Sequence, residues 1–306
     1  MNYIVTGGAG FIGSNFVDLL LTKIKDDDKI YVIDNLSTGS LDYLSNDSRI
    51  TLIKSDISDA VSMNDIIGQL EPDVIWHFAA LPRIQPSFED PILHEMVNVV
   101  GSINIIKAVI DNKLKTKIVY SGSSAVYGNN YPSKVGDAVD PLSPYGLQKY
   151  TAERYLIQLG QRYNIPVVAL RYFNVYGKRS YNPKNKFNAY SSVIGIFLDE
   201  RERGLPADIT GDGLQKRDFI HVSDVAMANW LAAKSDIISG VFNIGTGENI
   251  SIFDLAKKIT DNIIFIPERK GEAKETLAAD IDYTSEMLNW MPRVSLEEGI
   301  LNYSTL

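Results

Sequence analysis

The sequence predicts an α/β protein, a doubly wound parallel sheet with a smaller C-terminal α/β lobe. Three observations predict it. Short β-rich apolar runs alternate with longer helical patterns over about the first 175 residues, the first run leads straight into a glycine-rich turn, and the alternation loosens afterwards. Near-continuous apolar strands joined through helices imply a parallel sheet covered on both faces. Right-handed crossovers make it doubly wound.

The strands are expected at Tyr3–Val5, Lys29–Asp34, Ile50–Lys54, Val74–His77, Lys117–Tyr120 and Val167–Tyr172. Between them, Phe11–Lys25, Ser62–Leu70, Pro91–Asn112 and Pro144–Tyr163 read as helices. Lys178–Asn188 is polar and rich in Asn, Lys and Pro, which suits a loop. Ser191–Arg203 reads as a helix, Val241–Ile244 as a short strand, Ser251–Thr260 as a helix capped by Ser251, and Thr284–Tyr303 as partly helical. The expected division is residues 1–175 and 176–306, with a segment near 220–245 returning to the first unit.

Composition excludes several classes of chemistry. There is no cysteine, so disulfides, thiolate metal sites and cysteine nucleophiles are absent. No metal site is expected. A formal net charge of −8 argues against a nucleic-acid or anionic-membrane surface. No basic, then apolar, leader precedes the first strand, and no apolar stretch approaches bilayer-spanning length. The expectation is a cytoplasmic protein with no membrane or nucleic-acid partner.

The first strand runs into Gly7-Gly8-Ala9-Gly10-Phe11-Ile12-Gly13 and then a helix. Such a turn brings the backbone, Phe11 and Ile12 included, up to a pyrophosphate, and the helix N-terminus adds a favourable dipole. Gly7 allows the turn, Gly10 the approach of phosphate, and Gly13 the packing of helix on strand. The spacing is G-x-x-G-x-x-G rather than G-x-G-x-x-G, so the strand–turn–helix context carries the assignment. The second strand ends at Asp34, 21 residues beyond Gly13. A carboxylate there accepts hydrogen bonds from ribose hydroxyls and repels a 2′-phosphate. Asn35-Leu36-Ser37 supplies no Arg or Lys to reverse that preference. NAD is therefore the expected cofactor. Asp56-Ile57, after the third strand, is placed to meet the adenine.

The fifth strand ends in Tyr120-Ser121-Gly122-Ser123, and about twenty residues later comes Ser143-Pro144-Tyr145-Gly146-Leu147-Gln148-Lys149. Ser143 is a good N-cap and Pro144 a good first helical residue. Tyr145 and Lys149 then share one helix face. Oxidising a carbinol requires its hydroxyl proton to leave as hydride departs. A free phenol, with a pKa of about 10, is a poor base at neutral pH. A neighbouring ammonium and the nicotinamide cation favour the phenolate. Ser123 can donate to the substrate oxygen.

Together these residues resemble the extended short-chain dehydrogenase/reductase family, in its nucleotide-sugar epimerase/dehydratase branch, which has a Rossmann sheet and a substrate-binding lobe. The resemblance covers nearly the whole chain. It implies that Phe78, Ala79 and Ala80 after the fourth strand, Asn98 on the following helix, and Tyr172, Tyr145 and Lys149 lie beside the cofactor. It implies that Asn174, in Arg171-Tyr172-Phe173-Asn174, contacts the nucleotide diphosphate of a UDP-sugar. In Arg217-Asp218-Phe219-Ile220-His221 and Arg269-Lys270-Gly271-Glu272, Arg217 and Arg269 are implied to hold the same diphosphate. Two guanidiniums suit a diphosphate because each forms paired charge-assisted hydrogen bonds. Arg83 is a candidate for the sugar. Family members are commonly dimers through the Pro91–Asn112 and Tyr145 helices.

Family dehydratases carry an Asp-Glu pair after the serine, and family decarboxylases usually a Glu; this chain has Ser124-Ala125. A second acid–base pair is missing, which disfavours elimination. The expected reaction is 4-epimerisation of a UDP-hexose through a 4-keto sugar. A 4-keto-sugar reductase or a dehydratase of the same family, and a non-catalytic NAD(H)-sensing protein, are the rivals. Glucose, N-acetylglucosamine and glucuronate series all stay open.

Overall fold

A computed structural model describes residues 1–129, 133–181, 192–268 and 278–303. Six of its strands fall on the apolar-rich runs: β1 (Asn2–Thr6), β2 (Lys29–Asp34), β3 (Ile50–Lys54), β4 (Val74–His77), β5 (Lys117–Ser123) and β6 (Val167–Tyr172). A seventh, Ser239–Ile244, pairs with β6. The sheet order is Ser239–Ile244, β6, β5, β4, β1, β2, β3, parallel throughout. The reversal of strand order between β1 and β4 opens the cleft in which such sheets bind ligands.

Two apolar clusters cover the two faces. One holds Phe16, Leu20 and Trp76 with Val225, Ala228 and Phe242; the other holds Met63, Ile67, Ile105, Ile106, Leu156 and Ile157. A third cluster, around Phe197, Ile209, Phe219 and Leu255, lies under the C-terminal lobe.

Several boundaries differ from expectation for local reasons. The first helix ends at Leu21 rather than Lys25, before a polar, charged stretch. The second starts at Ala60, because the Asp59 carboxylate caps the N–H groups of Val61 and Ser62. The expected Pro91–Asn112 helix is broken into Pro91–Glu95, a π-turn at Met96–Val100 and Gly101–Asp111. By length and apolar composition alone, Pro91–Asp111 is sufficient to cross a bilayer, which corrects the expectation that no stretch is. In the fold, half of that stretch is buried, and Val99, Ile105, Ile106 and Val109 pack into the core. Short pairings in the C-terminal half were not legible: Asn174–Tyr176 with Phe219–His221, and Ala207–Thr210 with Ile263–Ile266. Each is three or four residues long. The Val222–Lys234 helix, which packs on the Phe11–Leu21 helix, had also escaped the pattern.

Candidate active site

The glycine turn closes on itself. Gly7 has φ +68°, and the Gly7 carbonyl accepts from the Gly10 N–H at 3.1 Å. A side chain at Gly13 would put its first carbon 2.2 Å from the Gly7 oxygen and 2.8 Å from the Gly8 Cα. The Phe11–Leu21 helix has no side-chain cap. Its first N–H groups, which no helix pairs internally, are left for an anion. A Cβ at Gly10 would meet only the Gly7 oxygen, at 3.2 Å, so the space before the helix is open. This cradle fits a dinucleotide pyrophosphate.

Asp34 is buried at the end of β2. Its carboxylate accepts from Ala9 N at 3.0 Å and Leu36 N at 2.8 Å, which ties the second strand to the glycine turn. Burial pushes its pKa up, and those two backbone hydrogen bonds oppose the rise. Asn35 donates to Asp56 at 2.8 Å, joining the ends of β2 and β3. Ile57 is buried in the core, and its carbonyl accepts from Asn104. We expect Asp34→Arg to weaken NAD binding at least tenfold and to move the NAD-to-NADP preference towards NADP, since it removes a carboxylate that repels a 2′-phosphate. Fluorescence titration with NADH and NADPH checks this; an unchanged ratio would mean that the ribose is held elsewhere.

The loop after β4 is fixed from both sides. Thr6 Oγ1 accepts from Ala79 N, and its hydroxyl is 2.7 Å from His77 Nδ1. Burial holds His77 neutral, with its pKa pushed down to about 3. Phe78 lies against Phe16. Asn98 is buried on the π-turn and braces this loop, accepting from Leu81 N at 2.8 Å and donating to Leu81 O and Gln148 Oε1. Ala80 and Arg83 follow; Arg83 has φ +95°, an uncommon conformation for a residue with a side chain.

Ser123 ends β5 and its hydroxyl accepts from Ala125 N at 3.2 Å, turning the chain. Ser143 caps the Pro144–Tyr163 helix through Gly146 N, with Pro144 at its first position. Tyr145 N donates to Ser87 Oγ at 3.0 Å, which ties the helix start to the segment after Arg83. Gly146 lets this helix press on the Ser123 turn: a side chain there would meet the Ala125 carbonyl at 2.7 Å. The Tyr145 phenol lies near Ser123, and Lys149, one turn later, is buried with Nζ 4.4 Å from the centre of the Tyr120 ring.

Burial raises the Tyr145 pKa, and Ser123 and the Arg83 charge pull against it. Burial also drives Lys149 down to about 7, with Glu153 opposing. In the chain alone, Ser123 and Arg83 favour the phenolate and burial opposes them.

Other predicted residues stand apart. The Tyr172 phenol is buried and donates to Asn229 at 2.9 Å, in the core behind the sheet. Asn174 starts a strand of the lobe and donates through Nδ2 to Asp218 O at 2.9 Å. Arg217 is on the neighbouring two-residue strand, with Nη1 donating to Lys216 O. Arg269 lies outside the described residues. Sequence reasoning passed over Asp218 itself. Its buried carboxylate accepts from the N–H groups of Thr246, Gly247 and Ala279, so it pins three segments of the lobe together. Its place beside Arg217 was the available signal.

A model of the NAD dependent epimerase/dehydratase family matches residues 3–245. The chain belongs to that family. The family's NAD dependence agrees with the cradle and with Asp34, and its cofactor is NAD. Solved members are similar over almost the entire length. A UDP-glucose 4-epimerase from Thermotoga maritima, solved with UDP-glucose, is 34% identical with a TM-score of 0.90, covering 99% of this chain and 97% of that one. A UDP-N-acetylglucosamine 4-epimerase from Methanobrevibacter ruminantium, in complex with UDP-N-acetylmuramic acid, is 36% identical with a TM-score of 0.87, covering 99% and 95%. A Thermus thermophilus UDP-glucose 4-epimerase in complex with NAD is 30% identical with a TM-score of 0.88, covering 99% and 98%.

Proposed function

We propose that this family member is a nucleotide-sugar 4-epimerase acting on a UDP-hexose. The observation that carries the reading is the turn after Ser123. Ser124 and Ala125 stand there, against the Tyr145 helix, and neither is a carboxylic acid. Elimination needs an additional acid–base pair at this place, whereas oxidation followed by re-reduction at one carbon needs only Ser123, Tyr145 and Lys149.

The glycine turn and Asp34 would hold NAD, with Asn35, Asp56, Ile57 and the Phe78–Ala80 loop around it. NAD, when bound, supplies a hydride acceptor that is restored within each turnover, and a positive charge beside the phenol. Tyr145 takes the proton of the C4 hydroxyl. Ser123 donates to the same oxygen and steadies the carbonyl that develops. Lys149 stabilises the phenolate electrostatically. The 4-keto sugar turns over while its diphosphate stays anchored by Asn174, Arg217 and Arg269, and Arg83 faces the sugar. Tyr145 then returns the proton to the C4 oxygen as C4 is re-reduced by hydride on its opposite face. Anchoring at the diphosphate leaves the ring free to rotate. In this reading the enzyme is cytoplasmic.

Incubating the purified protein with a panel of UDP-sugars, without added cofactor, and following the sugars by NMR tests the reading. Interconversion at C4 is expected. A requirement for stoichiometric NADPH would make the protein a reductase instead.

The functional unit in this reading is a homodimer. A groove of about 390 Å³ runs between the Pro91–Glu95 and Pro144–Tyr163 helices, lined by Ile92, Met96 and Leu147. Ile92, Leu93, Met96 and Leu147 are exposed there together, a contiguous apolar face of the kind that marks an interface. Light scattering should give a mass of two chains for the natural protein and one for Leu147→Asp. A monomeric natural protein would remove this part of the proposal.

A further inference from the structure

The Pro144–Tyr163 helix carries a third ionisable group at the spacing of the first two. Tyr145, Lys149 and Glu153 follow one another at four-residue intervals, on one stripe of the helix. Glu153 is completely buried. Facing it from β6 is Arg171, also buried, whose Nε and Nη2 donate to Oε2 and Oε1 at 2.8 and 2.7 Å. The guanidinium carbon is 4.9 Å from the centre of the Tyr127 ring, and the Tyr127 phenol donates to Asn243 at 2.6 Å. Compared with apolar residues of similar size, a buried ion pair contributes little to stability. The reaction derived above uses neither residue. Its position one turn beyond Lys149 supplies a use.

Four ionisable groups bear on Lys149: Tyr145 and Glu153 on its own helix, Tyr120 on β5 and His77 on β4. Burial keeps His77 and both phenols neutral. The π-turn packed on the same helix brings Asn98, which is uncharged. Glu153 is the negative group among them, and the one that favours the charged form of Lys149.

We propose that the Glu153–Arg171 pair positions the active lysine: Glu153 is the buried counter-charge of Lys149, and Arg171 fixes that carboxylate one helical turn away from it. The proposal rests on the reading of Tyr145 and Lys149 as the reactive pair. Removing the carboxylate charge makes the ammonium harder to keep, so Lys149 loses its proton at lower pH. Activity that depends on the ammonium then declines at lower pH as well.

The test uses the full chain with NAD bound and ¹³C-labelled lysine, so that NMR follows the Lys149 titration directly while turnover is measured against pH on the UDP-sugar that it converts. Three variants are needed: Glu153→Asp, Glu153→Gln, and Glu153→Gln combined with Arg171→Met, a neutral pair that leaves no charge stranded. We expect the Lys149 midpoint and the alkaline limb of kcat to move down together by about one pH unit in the last two, tenfold in proton affinity. KM should stay within about twofold, and Glu153→Asp should keep most of the natural profile. A folded double variant whose Lys149 midpoint and alkaline limb match the natural protein would overturn the proposal. Tyr145→Phe, run alongside, separates the two readings. If it stays active, the reaction assignment fails, and the Lys149 titration still decides the role of the pair.

Discussion

Tyr145→Phe should lower turnover by roughly 10²–10⁴-fold while NAD stays bound, because it deletes one oxygen that transfers a proton and leaves the ring packed. The surroundings of that oxygen give the expectation its force. Ser123 and the Arg83 charge act on it, and the side chain is half-buried. Burial raises its pKa, so below that pKa the free enzyme holds a protonated phenol. In the proposed reaction, the positive charges of the bound cofactor and of Lys149 would favour the phenolate. The measurement is kcat on the converted UDP-sugar together with NADH fluorescence. Turnover within threefold of natural, with NADH bound, would take the proton transfer away from Tyr145.

Gly13→Val should abolish dinucleotide binding in the micromolar range and destabilise the fold. The added carbon would lie 2.2 Å from the Gly7 oxygen, with backbone on both sides and no flexible side chain to give way. The turn must open or the helix must lift from β1, and either motion displaces the N–H groups that face the pyrophosphate. Loss of backbone complementarity of this kind is among the mechanisms that give the largest single-mutation effects. Thermal unfolding with and without NAD reads both parts. An intact NAD-induced stabilisation in the variant would show that the turn is not the phosphate cradle.

The sheet was legible because its central strands are apolar on both faces and the intervening helices are long. β2, β3, β4 and β6 match their expected limits to the residue. Residues around the site were legible where the local backbone demands a type: Gly13 against Gly7, Ser143 and Pro144 at the helix start, Asp34 at a strand end. What escaped was tertiary. Asn98 is the hydrogen-bonding partner of Leu81, 17 positions away, and a π-turn carries it, which no periodicity signals. Asp218 finds its partners at Thr246 and Ala279. The contest between burial and Ser123 at the Tyr145 phenol exists only once the helix has docked. The role expected of Arg269 falls on a residue that the structure does not describe.

The strand Ser239–Ile244 closes the sheet on β6 only after the chain has passed through the lobe. A fragment ending near residue 175 would therefore expose a six-residue, fully buried, hydrophobic strand along its whole hydrogen-bonding edge. Bare edges of that composition recruit other chains. The dinucleotide half of this protein should consequently be insoluble when made alone, and grafting it as an independent module would require carrying the returning strand with it.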